Sequence, residues 1–243
     1  MRFSIGRYVY GSAVIGLGIV ALAWHDLSNW EAMKALAGLP LREILSDIVG
    51  ALEVLGGLAV LWPRTVRAGA FVLGLLYFIL ALLWVPFIVA HPLLFDGYGN
   101  FFEVFAFVSG AMLLTARWAR IGYYSFGISV ITFALYQLFY LSYTASLVPT
   151  WVPPSQMFWS VATTIAFALA AVALLTGLWA LLAARLNTVM LLSFGLLVWV
   201  PRLFADPHRF SNWTEAFETL GIAGSAWIAA NYLARRARAG GDG

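Results

Sequence analysis

One acidic residue lies in the middle of an apolar stretch of this chain. Glu53 stands within GALEVLGGLAVLW, residues 50–62, about 12 Å below the outer end of the helix that this stretch predicts. An ionised carboxylate at that depth in a bilayer is costly, so intramembrane acids usually face the protein interior and mark a functional site. Two interpretations are open. Glu53 contacts a ligand, or it is a protonated carboxyl that donates a hydrogen bond to a backbone carbonyl.

A polar junction between two apolar runs occurs twice, 115 positions apart. The copies are WVPFIVAHPLLFDGYGNFFE (84–103) and WVPRLFADPHRFSNWTEAFE (199–218). Nearer the start of the chain, IGRYVYGSAVI (5–15) matches IGYYSFGISVI (121–131) at six of eleven positions. These matches predict a duplicated four-span unit. Because four is an even number, both copies would insert with the same orientation, as parallel repeats.

The acids at these junctions are candidates for two roles. Asn100 with Glu103, and Asn212 with Glu215, fit the capping-box pattern, in which side chains satisfy the first N–H groups of a helix. An acid there also suits the positive end of the helix dipole. For Glu103 and Glu218, a capping or dipole role and contact with a ligand are both open.

Further candidates lie where spans are expected to end. His25 and Asp26 follow the first apolar run and are ligand-binding candidates beside Glu53. An outer-face metal site is an alternative use of six side chains, namely His25, His91, His208, Asp26, Asp96 and Asp206. Charged side chains in loops are usually just solvated, so we predict no metal site.

Several classes of protein are excluded by the residues that the sequence lacks. The chain has no cysteine, which excludes disulfides and thiolate-held clusters. No histidine lies mid-span to ligate haem, and no cluster offers the three protein ligands of a catalytic zinc. No cofactor and no self-sufficient catalytic constellation are evident, so enzymatic activity is left open. The arginines behind the net charge of +3 are spread over short loops, and no nucleic-acid partner is predicted.

The composition indicates which elements must hold these groups. Hydrophobic residues make up 63% of the 243 positions and charged residues 10%, against about 25% charged in soluble domains. We predict an all-α, polytopic membrane protein in contact with the lipid bilayer, with four-helix units at 1–117 and 118–243. Because about 20 apolar residues cross a bilayer, we place eight transmembrane helices near 5–24, 45–62, 68–90, 100–116, 121–146, 156–176, 180–200 and 213–234.

Flanking residues predict the orientation of these helices. The first apolar run resembles a signal peptide, but its length favours a retained helix. If the spans alternate, ten of the fourteen basic residues lie on one side: Arg2, Arg7, Arg64, Arg67, Arg117, Arg120, Arg185, Arg235, Arg236 and Arg238. By the positive-inside rule that side is the cytoplasm, so we expect a multi-pass plasma-membrane protein with both termini inside.

Two segments carry a resemblance to a known family. The pattern E-x-x-G-G-L at 53–58, before a short Arg-bearing turn, resembles the DoxX family of four-helix membrane units. TASLVPTWVPP (144–154) and the later LLVWVPRLFADP resemble the longer, duplicated members, and the similarity covers essentially the whole chain. In such members we expect histidines where this chain has Gln137 and Phe167.

The resemblance implies an accessory or quinone-associated subunit of a membrane redox system. It makes a quinone the candidate cofactor and membrane redox proteins the candidate partners. The duplicated architecture and the half-buried acid favour an alternative, the binding or transport of a small molecule through an outward-facing polar site around Glu53. A membrane scaffold without a ligand is a third hypothesis.

Overall fold

The computed structural model describes residues 4–27 and 41–240 of the chain. These residues are mostly helical, 84% in helix, and contain no strand. The helices are α1 (Ile5–Trp24), α2 (Arg42–Leu61), α3 (Val66–Leu82), α4 (Val85–Ala90), α5 (Phe95–Leu113), α6 (Ala119–Phe139), α7 (Leu141–Leu147), α8 (Gln156–Thr176), α9 (Ala180–Phe194), α10 (Val200–Ala205) and α11 (Phe210–Gly240). A single π-helical turn, Gly195–Trp199, joins α9 to α10.

Six helical segments of the described residues are long and apolar enough to cross a membrane. They are Ile5–Trp24, Arg42–Leu61, Val66–Ala90, Ala119–Phe139, Gln156–Thr176 and Ala180–Ala205. Their outward faces carry large apolar side chains, and Leu55, Phe71 and Leu169 are each more than 60% exposed. Apolar surface on this scale is unfavourable in water and matches a lipid environment. The chain is a multi-pass, all-helical membrane protein.

Helices α5 and α11 lie between these apolar helices. Helix α5 packs against α3, α6 and α11, and helix α11 packs against α1, α9 and α5. The two run parallel, since Gly110 lies beside Ser225 and Phe107 lies beside Gly221. Both carry carboxyl groups in their first halves, which lowers their hydropathy. This arrangement brings acids of both helices into the interior of the bundle.

The prolines of the two junctions lie where the preceding helix is interrupted. Pro86 stands in the first turn of α4, after α3 has ended at Leu82, and Pro201 stands in the first turn of α10, after the π-helical turn. A proline lacks the N–H that a helix interior needs but is tolerated in a first turn. Pro86 and Pro201 therefore each lie at an interruption of the preceding helix.

The predicted capping boxes are wrong, because α5 and α11 begin earlier than expected. They start at Phe95 and Phe210, so Glu103 and Glu218 are each eight positions into their helix. Asn100 Nδ2 donates to the Asp96 carbonyl oxygen at 2.8 Å. Asn212 Nδ2 donates to the carbonyl oxygens of Asp206 and Arg202. Neither asparagine caps a helix, and the acids are left for another role.

Glycines hold α1 and α2 in close contact near Glu53. A Cβ added at Gly18 would lie 2.5 Å from the Gly50 carbonyl oxygen, and one at Gly57 would lie 2.8 Å from the Gly11 carbonyl oxygen. Small residues of this kind let helix backbones approach within a membrane. The glycines around Glu53 therefore bring α1 and α2 into direct contact.

Candidate functional site

Glu53 faces the interior of the bundle. Its exposed fraction is 4%, and Tyr77 on α3 donates a hydrogen bond from its hydroxyl to Glu53 Oε1 at 2.8 Å. The Tyr77 ring packs against Phe107 of α5, with ring centroids 4.6 Å apart. The prediction of an inward-facing carboxyl is confirmed. Its hydrogen-bond partner, however, is a side chain of the next helix instead of the backbone carbonyl that one hypothesis assumed.

A small cavity joins Glu53 to three of the other candidate residues. Its polar lining, which defines the central cavity, consists of Asp26, Glu53, Tyr77, Glu103, Thr214 and Glu218. The walls between these groups are apolar, with Leu17, Leu80 and Phe107 among them. The cavity volume is about 30 Å³, and a cavity needs a volume of roughly 10–15 Å³ to hold one water molecule. It therefore has room for one or two water-sized species.

Three carboxylates meet where α5 and α11 pack together. Carboxylate oxygens of Glu103, Glu215 and Glu218 all lie within 4.8 Å of one another, and all three residues are partly buried. Like charges at this spacing favour uptake of a proton or of a cation. Among the described residues this is the one group of histidine and acidic side chains close enough to hold a metal ion. A histidine–aspartate metal site on the outer face, considered from the sequence, is not found among the described residues.

His25 and Asp26, neighbours in sequence, are used differently. Asp26 lines the central cavity and accepts a hydrogen bond from Arg42 Nη2 at 2.5 Å. His25 is exposed, and its Nδ1 lies 2.8 Å from Asp47 Oδ1. Exposed pairs of this kind contribute little to stability. The structure thus brings together four of the five candidates (Glu53, Asp26, Glu103 and Glu218) and leaves His25 at the surface.

A second cavity begins on the other side of Glu103. This adjoining cavity has a volume of about 190 Å³ and is lined by Glu103, Glu215, Tyr136, Tyr143 and Gln137, among others. Tyr143 lies in the short helix α7, outside the apolar spans. Tyr143 is 55% exposed, and the partial burial of its hydroxyl, together with the charge of Glu215, raises the pKa of that hydroxyl. Nothing in the spacing of these residues predicted that they would meet.

Gln137 and Phe167, the positions where related chains are expected to carry histidine, are part of the interior. Gln137 Oε1 accepts hydrogen bonds from the hydroxyls of Thr163 and Thr164, each at 3.1 Å. Phe167 is 3% exposed and packs edge-on against Phe133. These side chains supply an amide and an apolar ring to the interior.

Comparison with known proteins yields no relative. No family model, no curated protein and no solved structure matches this chain. Membership of the DoxX family therefore stays a prediction.

Proposed function

We propose that this protein binds a small cation in the central cavity. The observation that carries the proposal is the convergence of Glu53, Asp26, Glu103 and Glu218 on one cavity inside a bundle of apolar helices. Carboxylates removed from water need a proton or a positive charge close by. Arg42 pairs with Asp26, and we assign cation binding to the deeper carboxyl groups of Glu53, Glu103 and Glu218, which line the same cavity.

The size of the cavity limits the ligand. About 30 Å³ admits a species the size of one or two water molecules, such as an ammonium, sodium or calcium ion. A quinone ring is too large for this cavity. The small-molecule alternative drawn from the sequence thus becomes a cation site, with Tyr77 fixing the orientation of the Glu53 carboxyl.

Binding of a cation should stabilise the purified protein. We expect ammonium, sodium or calcium chloride to raise the melting temperature saturably at neutral pH, because a ligand held only by the folded state adds RT ln(1 + [L]/Kd). The effect should fade at acidic pH, where protons occupy the carboxylates. N-methylglucamine chloride, whose cation exceeds the cavity, controls for ionic strength. An equal shift with N-methylglucamine would show that the salts act non-specifically.

For the architecture, we propose eight spans arranged as two related four-helix units, as in the duplicated DoxX-like chains. The order of packing supports this. Helix α1 packs against α2 and α11, and helix α6 packs against α8 and α5. The junctions also repeat one contact. Tyr98 Oη donates to the Pro92 carbonyl, and 115 positions later Trp213 Nε1 donates to the Pro207 carbonyl.

Eight spans would place both termini in the cytoplasm. The contact between Asn231 Nδ2 and Ser4 Oγ at 3.0 Å supports two ends on the same side. The natural chain has no cysteine, so single cysteines can be added cleanly. We expect cysteines replacing Arg64 or Arg238 to react only after the membrane is permeabilised, and those replacing Leu93 or Ser211 to react in intact cells. External labelling at Arg238 would refute the eight-span topology.

A second candidate is an accessory role in a membrane redox system, supported by the resemblance at Glu53–Leu58 and by cavities larger than the central one. Here we expect purification in mild detergent to retain a quinone or a redox protein. Recovery of neither, together with saturable cation binding, would favour the first candidate. Recovery of neither and no cation binding would favour a scaffold.

A further inference from the structure

A large cavity in the second half of the chain lies between α8 and α9, and we name it the α8–α9 cavity. Its volume is about 390 Å³, within the range of about 300–1,000 Å³ usual for small-molecule sites. Trp159 and Thr163 of α8, Met190 and Ser193 of α9, and Leu197 and Trp199 of the π-helical turn form much of its wall.

The lining of this cavity is neutral. It contains no acidic, basic or histidine side chain, and its polar groups are hydroxyls of serine and threonine, the amide of Gln137 and the indole N–H groups of Trp159 and Trp199. A charged ligand would lose its hydration here without gaining an opposite charge, which is unfavourable. The cavity therefore selects an uncharged molecule, in contrast to the central cavity.

The position of the cavity favours a ligand from the lipid phase. Helices α8 and α9 both belong to apolar spans. Their outer faces are apolar around the cavity, where Trp159 is 38% and Leu197 37% exposed. The wall also includes the π-helical turn, a local distortion that is frequent at functional sites. A molecule dissolved in the bilayer would meet this opening directly.

Gln137 provides the group that would recognise the ligand. Its Oε1 lies 3.1 Å from the hydroxyl oxygens of Thr163 and Thr164, whose single protons are shared with closer backbone carbonyls of α8, and the amide NH₂ is at the other end of the group. Gln137 lines both the α8–α9 cavity and the adjoining cavity. An NH₂ group donates, so it pairs with a carbonyl or ether oxygen.

We propose that the α8–α9 cavity binds a neutral, lipid-soluble molecule that carries a carbonyl or ether oxygen, with the oxygen at the Gln137 amide and the apolar body against Trp159 and Leu197. The site is separate from the central cavity. Whether a cation binds in the central cavity does not affect this proposal.

A photoreactive probe tests this site. Decylbenzophenone is neutral, lipid-soluble and bears a carbonyl, and on illumination it attaches to nearby C–H bonds. In protein reconstituted into vesicles, we expect the label to concentrate on Met190 and Leu197. Ser193→Phe fills the cavity and should reduce this labelling about tenfold. Val189→Phe adds the same ring one turn away at a 60% exposed position and should leave it unchanged.

Two further measurements keep the outcome decisive if Ser193→Phe does not fold. Gln137→Leu removes the amide and should weaken labelling about fivefold, the usual effect of one hydrogen bond, and Glu43→Gln, at an exposed position of α2, should have no effect. A benzophenone with a trimethylammonium group should not compete with the neutral probe. Labelling spread evenly over all lipid-facing helices, or equal competition by the charged analogue, would overturn the proposal.

Discussion

Glu53→Gln is expected to weaken saturable cation binding by about tenfold to a hundredfold while the protein still folds. Glutamine has nearly the same shape as glutamate, and its carbonyl can accept the hydrogen bond that Tyr77 now donates to Glu53. What it removes is the negative charge. Hydrogen bonds to charged groups are worth about 1.5–3 kcal/mol, so the affinity for ammonium, sodium or calcium should fall by about tenfold to a hundredfold. Titration calorimetry of the solubilised protein measures this directly.

The matched control for this change lies on the same helix. Glu43 is exposed in the first turn of α2, so Glu43→Gln makes the same chemical change away from the cavity. Its cation affinity should equal that of the natural protein. If Glu53→Gln binds cations normally, Glu53 is a structural hydrogen-bond partner and the site proposal fails.

Gly18→Ala is expected to destabilise the protein and to disturb the site together. The new methyl group would lie 2.5 Å from the Gly50 carbonyl oxygen and 2.9 Å from Glu53 Cβ, so α1 and α2 would have to separate. Overpacking of a tight interior costs about 1–3 kcal/mol. Denaturant unfolding in detergent micelles should show this loss, and cation binding should weaken because Glu53 is displaced.

Gly195→Ala is the control for the glycine substitution. A Cβ at Gly195 would meet nothing within 4 Å, and the backbone φ of −53° suits alanine. We expect its stability to stay the same or rise by about 0.5–1 kcal/mol, since alanine lowers the entropy of the unfolded chain. Equal losses in both variants would mean that helix contact at Gly18 is not what limits stability.

The inward orientation of Glu53 could be predicted from sequence because the free-energy cost of exposing a carboxyl group to lipid dominates. A carboxyl in the middle of an apolar helix cannot face lipid cheaply, and the neighbouring glycines already indicated a close helix contact. The packing partner could not be predicted in the same way. Tyr77 lies 24 positions away on another helix, and tyrosine within a span is equally consistent with an interfacial role.

The three-carboxylate group could not be predicted because it depends on where two helices begin. The polar, glycine-containing segment FDGYGN resembles a loop, which placed Glu103 in a first turn. In the structure the helix includes this segment, so Glu103 lies deeper and the parallel packing of α5 with α11 brings Glu218 to it. The meeting of these carboxyl groups depends on contacts between helices that are distant in the sequence. The local spacing of residues does not predict such contacts.

For His25, the inference from its position beside Asp26 in the sequence does not match its place in the structure. Proximity to Asp26 in the sequence suggested that both residues join the site. The chain turns at His25, which has a left-handed backbone with φ of 52°. Its imidazole lies next to Asp47 at the surface, and Asp26 lines the cavity. Adjacent residues at a helix end point in different directions, and the sequence does not specify which one faces inward.

The most direct test of the cation site is a titration in weakly buffered detergent solution that follows binding heat and proton release together. A cation that replaces protons on the central carboxyl groups should bind saturably and release protons from the natural protein and from Glu43→Gln. Glu53→Gln should show both signals only at cation concentrations about tenfold to a hundredfold higher. If no small cation produces saturable heat or proton release with the natural protein, the central cavity is not a cation site.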